Sequence, residues 1–454
     1  MSTDSTLPDR LNNWMKHSVT LKLISIAVLI LILLIPTSMV KDIIYERETL
    51  SQDAIQEVSS KWANSQTIKG PILTIPITYY STIKNEDGSF TEISRNLNIL
   101  PDDLQVNGQI DPESLKRGIY EIVVYKSKMN VNGSFSLNPK FDKTNLKQIH
   151  WDQAFLTLGI SDLRGIKDNI NLTWGDKKLR AEPGSKIMDV ISSGVTIDLP
   201  EIDQDKQQNI NFNFALNLQG SENLSFIPIG NTTEIKLTSS WTDPSFNGNF
   251  LPNDRLIDKN GFSADWKILQ LNRNFPQSWI NNKYSSTLDQ SAFGVDLMLP
   301  LDDYQKSMRS AKYAIMTIAL TFLIFFLVEV LNGEKIHAFQ YTLVGLSLCL
   351  FYVLLISISE HSNFNLAYII SAIAVIGMIS LYSISVFKSR KITLLLSAVL
   401  CGVYGFLFVT LQLADFALLL GSVGLALILG ATMYFTRNIN WYAINSKKLN
   451  EATS

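Results

Sequence analysis

Apolar and polar positions follow three different patterns along the chain. Residues 21–40, LKLISIAVLILILLIPTSMV, form one unbroken apolar run. The next 250 or so residues hold only short alternating stretches: GPILTIPITYY at 70–80, GIYEIVVY at 118–125, NFNFALNLQG at 211–220 and EIKLTSSW at 234–241. Five further apolar runs then follow almost end to end, at about 311–331, 338–358, 366–387, 392–412 and 415–435. A helix rises about 1.5 Å per residue, so about 20 apolar residues cross about 30 Å of hydrocarbon, and the six runs predict six transmembrane α-helices. The first run is too long for a signal peptide and lacks a small-residue cleavage site, so it is expected to stay as an anchor. Period-two patterning with turn residues between, NEDG at 85–88 and VNG at 131–133, predicts an antiparallel, sandwich-like β-rich domain inserted between the first and second helices. Ile44, Leu50, Ile55 and Val58, set among Glu, Gln and Lys, predict that residues 43–63 extend the first helix as a stalk.

Composition supports this division. The chain has 454 residues, too many for one ordinary domain, and its net charge of -2 argues against a nucleic-acid partner. The overall 18% of charged residues averages a polar segment with an almost wholly apolar one. Both cysteines, Cys349 and Cys401, fall in apolar runs, which leaves the soluble domain without a disulfide and assigns both to packing. Lys and Arg in short connections resist translocation. Arg10, Lys16, Lys22, Lys335, Lys388, Arg390, Lys391, Arg437, Lys447 and Lys448 all fall on one face, and the connections at 359–365 and 413–415 have none. Lys306, Arg309 and Lys312 fall on the other face, but they flank a long translocated domain, where the rule is weak. The expected layout is a cytoplasmic N-terminus (1–20), an anchor (21–40), an external β-rich domain (41–310), a five-helix membrane domain (311–435) and a cytoplasmic tail (436–454).

The search for chemistry starts from the four histidines, His17, His150, His337 and His361, which form no HExxH motif. Paired CxxC, a G-x-S-x-G elbow and a phosphate loop ending in Gly-Lys-Ser/Thr are likewise missing. No catalytic residue, cofactor or metal site is therefore predicted. Polar residues at the ends of apolar runs are the better lead, since ionisable groups in lipid often mark pathways or relays. Glu329, His337 and Gln340 lie at the inner end; Glu360, His361 and Asp415 lie at the outer end. About 30 Å of hydrocarbon separates the two groups, so they cannot share a metal. A tight turn at 332–334 would bring Glu329 near His337, as a proton relay or inner gate requires; the structural alternative is interfacial hydrogen bonding across a hairpin. For 357–365 the structural alternative is a solvated loop, and for Asp415 it is a helix cap. Arg117, at the start of a strand, and Arg273, beside Phe275 and Trp279, are expected to pack on aromatics or to recognise an anionic envelope component.

The longer motifs carry a resemblance. The chain resembles the CreD family of bacterial inner-membrane proteins in RGIYEIVVY (117–125), SSWTDPSFNGNFLP (239–252), GFSADW (261–266), LNRNFPQSW (271–279), FGVDLMLPLDDYQKSMRSAKYAI (293–315) and DFALLLGS (415–422). TFLIFFLVEV (321–330) and KIHAFQYTLVGLSLCLFYVLLISISEH (335–361) extend it over nearly the whole chain. Ala338 stands where the family pattern has proline after the histidine, which implies a less rigid hairpin start. The resemblance implies a periplasmic β-domain and a role in envelope integrity and tolerance of envelope-directed toxins; it assigns no catalytic residue. A non-enzymatic inner-membrane protein follows, embedded in the lipid bilayer and engaging an envelope component or periplasmic protein partner. The competing expectations are a transporter or proton-coupled flippase, and an enzyme acting on wall or lipid.

Overall fold

A computed structural model of the protein describes residues 19–84, 90–203, 209–297, 302–332, 336–413 and 416–437. Two compact units emerge: Met1–Leu50 with Pro300–Ser454, and Ser51–Leu299. The first helix, α1 (Val19–Trp62, 44 residues), contributes to both, since the apolar run and the predicted stalk form one continuous helix with Pro36 inside it.

Among the described residues the Ser51–Leu299 unit is built from strands that form two sheets, of ten and eight strands. The ten-stranded sheet centres on β1 (Gln66–Lys84), which pairs antiparallel with β2 (Phe90–Ile99) and with Phe155–Ile160. In the other sheet, β3 (Asp103–Arg117) and β4 (Tyr120–Ser136) form a long hairpin, in register from Asp103 opposite Ser134 to Arg117 opposite Tyr120. Gly118 closes it at φ +64, a conformation glycine adopts without steric cost. Alternation decides which side chains enter the core: in Asn209–Ser221 the residues Ile210, Phe212, Phe214, Leu216 and Leu218 are buried, while Asn211 and Asn213 are exposed. One apolar core draws on both sheets, as a sandwich requires.

The sheets are mixed, however, and this corrects the purely antiparallel expectation. β1 runs parallel to Asn223–Phe226, and Thr232–Ser239 runs parallel to β3 over eight residue pairs, from Thr232 opposite Asp103 to Ser239 opposite Ile110. Period-two burial is the same in either direction; the path of the connection sets the direction, and patterning does not record it.

The C-terminal turn of α1 is held by side chains of the β-rich unit. Arg164 donates to the Ser60 carbonyl and Gln219 to the Trp62 carbonyl, satisfying acceptors that a helix end leaves open. Asp162 fixes Arg164 through Nε at 2.9 Å and Nη2 at 2.6 Å, and also accepts from the Asn64 N–H at 2.9 Å. The bonded guanidinium holds the Asp162 carboxyl down at about 2. Ser285–Gln290 forms a short helix, α2, in the same unit.

In the other unit, α3 (Asp302–Lys312) is strongly polar and α4 (Ala314–Asn332) almost wholly apolar. Then come α5 (Ala338–Ser359), α6 (Phe364–Phe387), α7 (Arg390–Gln412) and α8 (Ala417–Thr436). Among the described residues α1, α5, α6 and α7 are each long and apolar enough to cross a membrane. The run expected at 311–331 is divided: α3 and α4 meet the criterion only together, bent by 44° where charged sequence gives way to apolar. The apolar part of α8, Leu419–Tyr434, is shorter. α1 buries a stripe formed by Ile26, Leu33, Thr37, Val40 and Ile44 and leaves Leu31, Ile35 and Met39 on its outer face. Leu33 is seated at Gly345 of α5, where an added Cβ would lie 2.2 Å from its Cδ1.

Candidate functional site

Glu329 and Glu360, the carboxylates at the ends of two apolar runs, each meet a cation of α1. Glu329, 6% exposed near the end of α4, forms an ion pair with Lys22. It also accepts from the Ile336 N–H at 3.1 Å and the Tyr341 O–H at 3.1 Å. Lys22 in turn donates to the Ile336 carbonyl at 3.0 Å. A single carboxylate thus joins the start of α1, the end of α4 and the start of α5. At the other end of α5, Glu360 pairs with Arg47 Nε at 3.3 Å, with the Glu360 side chain 10% exposed. Lys22 and Arg47 are 25 positions apart, about 37 Å along a straight helix.

His337 does not join Glu329. It caps α5: its Nδ1 accepts the Phe339 N–H at 3.2 Å, and its own N–H donates to Gln340 Oε1 at 2.9 Å. The reciprocal box engages both His337 and Gln340 in capping, and Tyr341, the next residue of α5, turns its hydroxyl to the carboxylate. The proximity of Glu329 to His337 expected from the tight turn is therefore replaced by Lys22 and the Ile336 N–H. His361 is exposed, with Nδ1 3.3 Å from the Ser357 carbonyl. Asp415 lies outside the described residues.

In the β-rich unit Arg117 is exposed and pairs with Glu57 at 3.0 Å; the hydrogen bond from Lys61, with the charge of Arg117 second, holds the Glu57 carboxyl below its usual range. Arg273 is buried, 4.2 Å above the Phe275 ring, and donates to the carbonyls of Phe275, Ile229 and Gly230, each at 3.2 Å, and to Gln277. Burial pushes its guanidinium down to about 10. These bonds make it a tie between backbone segments. Trp266 is core, within 6 Å of the rings of Phe246 and Phe293.

The sequence reading missed Lys22 and Arg47, having counted Lys22 only as an orienting charge. It also missed the interior of the bundle, where Tyr352, Tyr368 and Tyr404 surround Phe351 at ring distances of 5.0, 5.2 and 4.8 Å. Tyr368 donates its hydroxyl to the Tyr404 carbonyl at 2.8 Å, tying α6 to α7. Among the described residues no group of three or more His, Cys, Asp or Glu is arranged to hold a metal ion. As observed, the geometry fastens helices; Glu329 and Glu360 are both engaged by cations.

Comparison with known proteins places this arrangement. The family model described as inner membrane protein CreD matches residues 18–442, from the start of α1 to beyond the end of α8. The chain belongs to the CreD family. It is also 35% identical over 433 residues to the inner membrane protein CreD of Escherichia coli (strain K12), covering 94% of this chain and 95% of that one. Membership makes this a bacterial inner-membrane protein with a large β-rich domain. Ala338, where proline was expected, is the first residue of α5, a position at which the His337 and Gln340 box supplies the local restraint.

Proposed function

We propose that the protein is a non-enzymatic support of the cell envelope, in which six helices hold a periplasmic β-rich domain that binds an envelope component or a protein partner. In this reading both termini are cytoplasmic. The two ion pairs support that topology: they match Lys22 with Glu329 at the level read as inner and Arg47 with Glu360 at the level read as outer. A polar cleft carries the binding role. It has a volume of about 440 Å³ on the eight-stranded sheet, where Asn107, Lys236, Asp254, Asp265 and Lys267 present donors and acceptors of both charges. Such a lining suits a polar, mixed-charge ligand. The transporter reading gains no support from the two carboxylates, because α1 already occupies both.

The test replaces residues 66–297 with a short linker, keeps α1 and every helix from α3 to α8, and asks whether the chain restores detergent and toxin resistance to cells lacking the protein. Loss of resistance with normal membrane abundance is expected. Full rescue by the helices alone overturns the reading.

A further inference from the structure

A second site lies wholly within the bundle. α4, α7 and α8 enclose a cleft of about 550 Å³ whose lining is apolar apart from Thr432, with Leu327, Leu395, Gly402, Phe406 and Leu427 among its walls. Thr432 adds no free polarity, since its hydroxyl is spent on the Ile428 carbonyl at 2.8 Å. Gly402 leaves room: an added Cβ there meets nothing within 4 Å. In a bilayer an apolar slot of this kind takes hydrocarbon, and the rim decides which lipid supplies it.

The rim is basic at one end. Lys391 precedes Leu395 by one turn on the same face of α7, so the charge stands directly beyond the apolar wall. Lys388, Arg390 and Lys391 are all exposed, and none is in an ion pair among the described residues. A slot for a chain beneath three exposed cations fits a molecule with an apolar tail and an anionic head. Basic pockets between helices are the recurrent form of lipid-headgroup recognition.

We infer that the α4–α7–α8 cleft is a binding site for an anionic phospholipid, which lays one acyl chain along Gly402 and sets its phosphate against Arg390 and Lys391. The inference rests on the chain being an inner-membrane protein and not on the envelope role of the β-rich domain. The lipid bridges three helices and neutralises charge that no ion pair among the described residues offsets.

The test uses the full chain in phosphatidylcholine nanodiscs doped with phosphatidylglycerol bearing a photoreactive acyl chain, with the labelled peptides mapped by mass spectrometry. Labelling of the cleft helices is expected, competed by unlabelled phosphatidylglycerol and not by added phosphatidylcholine. Arg390→Gln and Lys391→Gln should each lower it about fivefold, the effect of one basic residue at a lipid surface. Gly402→Leu should fill the slot and abolish it, whereas Gly377→Leu, at a site on α6 that is equally open, should not. Equal labelling by a photoreactive phosphatidylcholine, or full labelling in the charge variants, overturns the proposal. The charge variants alter only exposed residues, so they decide the matter even if Gly402→Leu fails to fold.

Discussion

The pair between Lys22 and Glu329 permits a prediction in which the two single mutants are unequal. Glu329 is 6% exposed and accepts from three donors, whereas the Lys22 side chain keeps 29% of its surface. Lys22→Met removes the charged donor and strands a carboxylate on two neutral hydrogen bonds, those of Ile336 and Tyr341. A lost hydrogen bond to a charged group costs about 1.5–3 kcal/mol, and a stranded buried charge brings the total to about 3 kcal/mol. Glu329→Gln keeps an acceptor for Tyr341, and it leaves an ammonium exposed enough to turn toward water on its long stem, so about 1 kcal/mol is expected. The double mutant Lys22→Met with Glu329→Gln has no charge to strand, and it should recover about 1–2 kcal/mol relative to the sum of the singles. Thermal unfolding of the four proteins in nanodiscs, followed by tryptophan fluorescence, measures the cycle. Equal losses in the two singles, or additivity within about 0.5 kcal/mol, would refute the assignment of Lys22 as the partner.

Two predictions concern the β-rich unit. Asp162 is held at about 2 when folded, against 3.8 as its ordinary value, so it stabilises the fold above pH 4 and loses this effect as pH falls toward 2. Asp162→Asn should therefore cost about 1–2 kcal/mol at pH 7, discounted because Arg164 is half exposed, and close to nothing at pH 2; a gap that stays constant with pH refutes the linkage. Arg273→Met leaves the carbonyls of Ile229, Gly230 and Phe275 without their donor and should lower stability by about 3 kcal/mol, with Arg273→Lys intermediate; a denaturation midpoint unchanged in Arg273→Met would show that the ties carry no stability.

Much of this architecture was legible because the signals are dense. Twenty apolar residues in line, or Ile210, Phe212, Phe214 and Leu216 alternating with polar neighbours, state an element and its buried face together. Strand direction was hidden, since Thr232–Ser239 alternates the same way whichever way it runs beside β3. The candidate site was legible in part. Topology had already put Lys22 with Glu329 on one side and residue 47 with Glu360 on the other, so opposite charges at one depth were there to be paired. His337 misled because a titratable side chain at a helix start was weighed as a relay partner, while its spacing to Gln340 spelled a cap. The tyrosines at 352, 368 and 404 gave no warning, since within an apolar run an aromatic ring is indistinguishable from filler until three helices converge on it.

The two contacts of α1 also make its length a calibrated quantity. Lys22 and Arg47 face fixed carboxylates, and one inserted residue between them would turn the second by 100° and advance it 1.5 Å, so that only one contact at a time could be kept. Seven inserted residues would nearly restore the angle but overshoot by about 10 Å. Substitutions along Leu31, Ile35 and Met39 are free so long as they remain apolar, whereas the count of residues is not. The helix behaves as a ruler with two engraved marks, and the spacing between those marks sets where α1 sits against the two ends of α5.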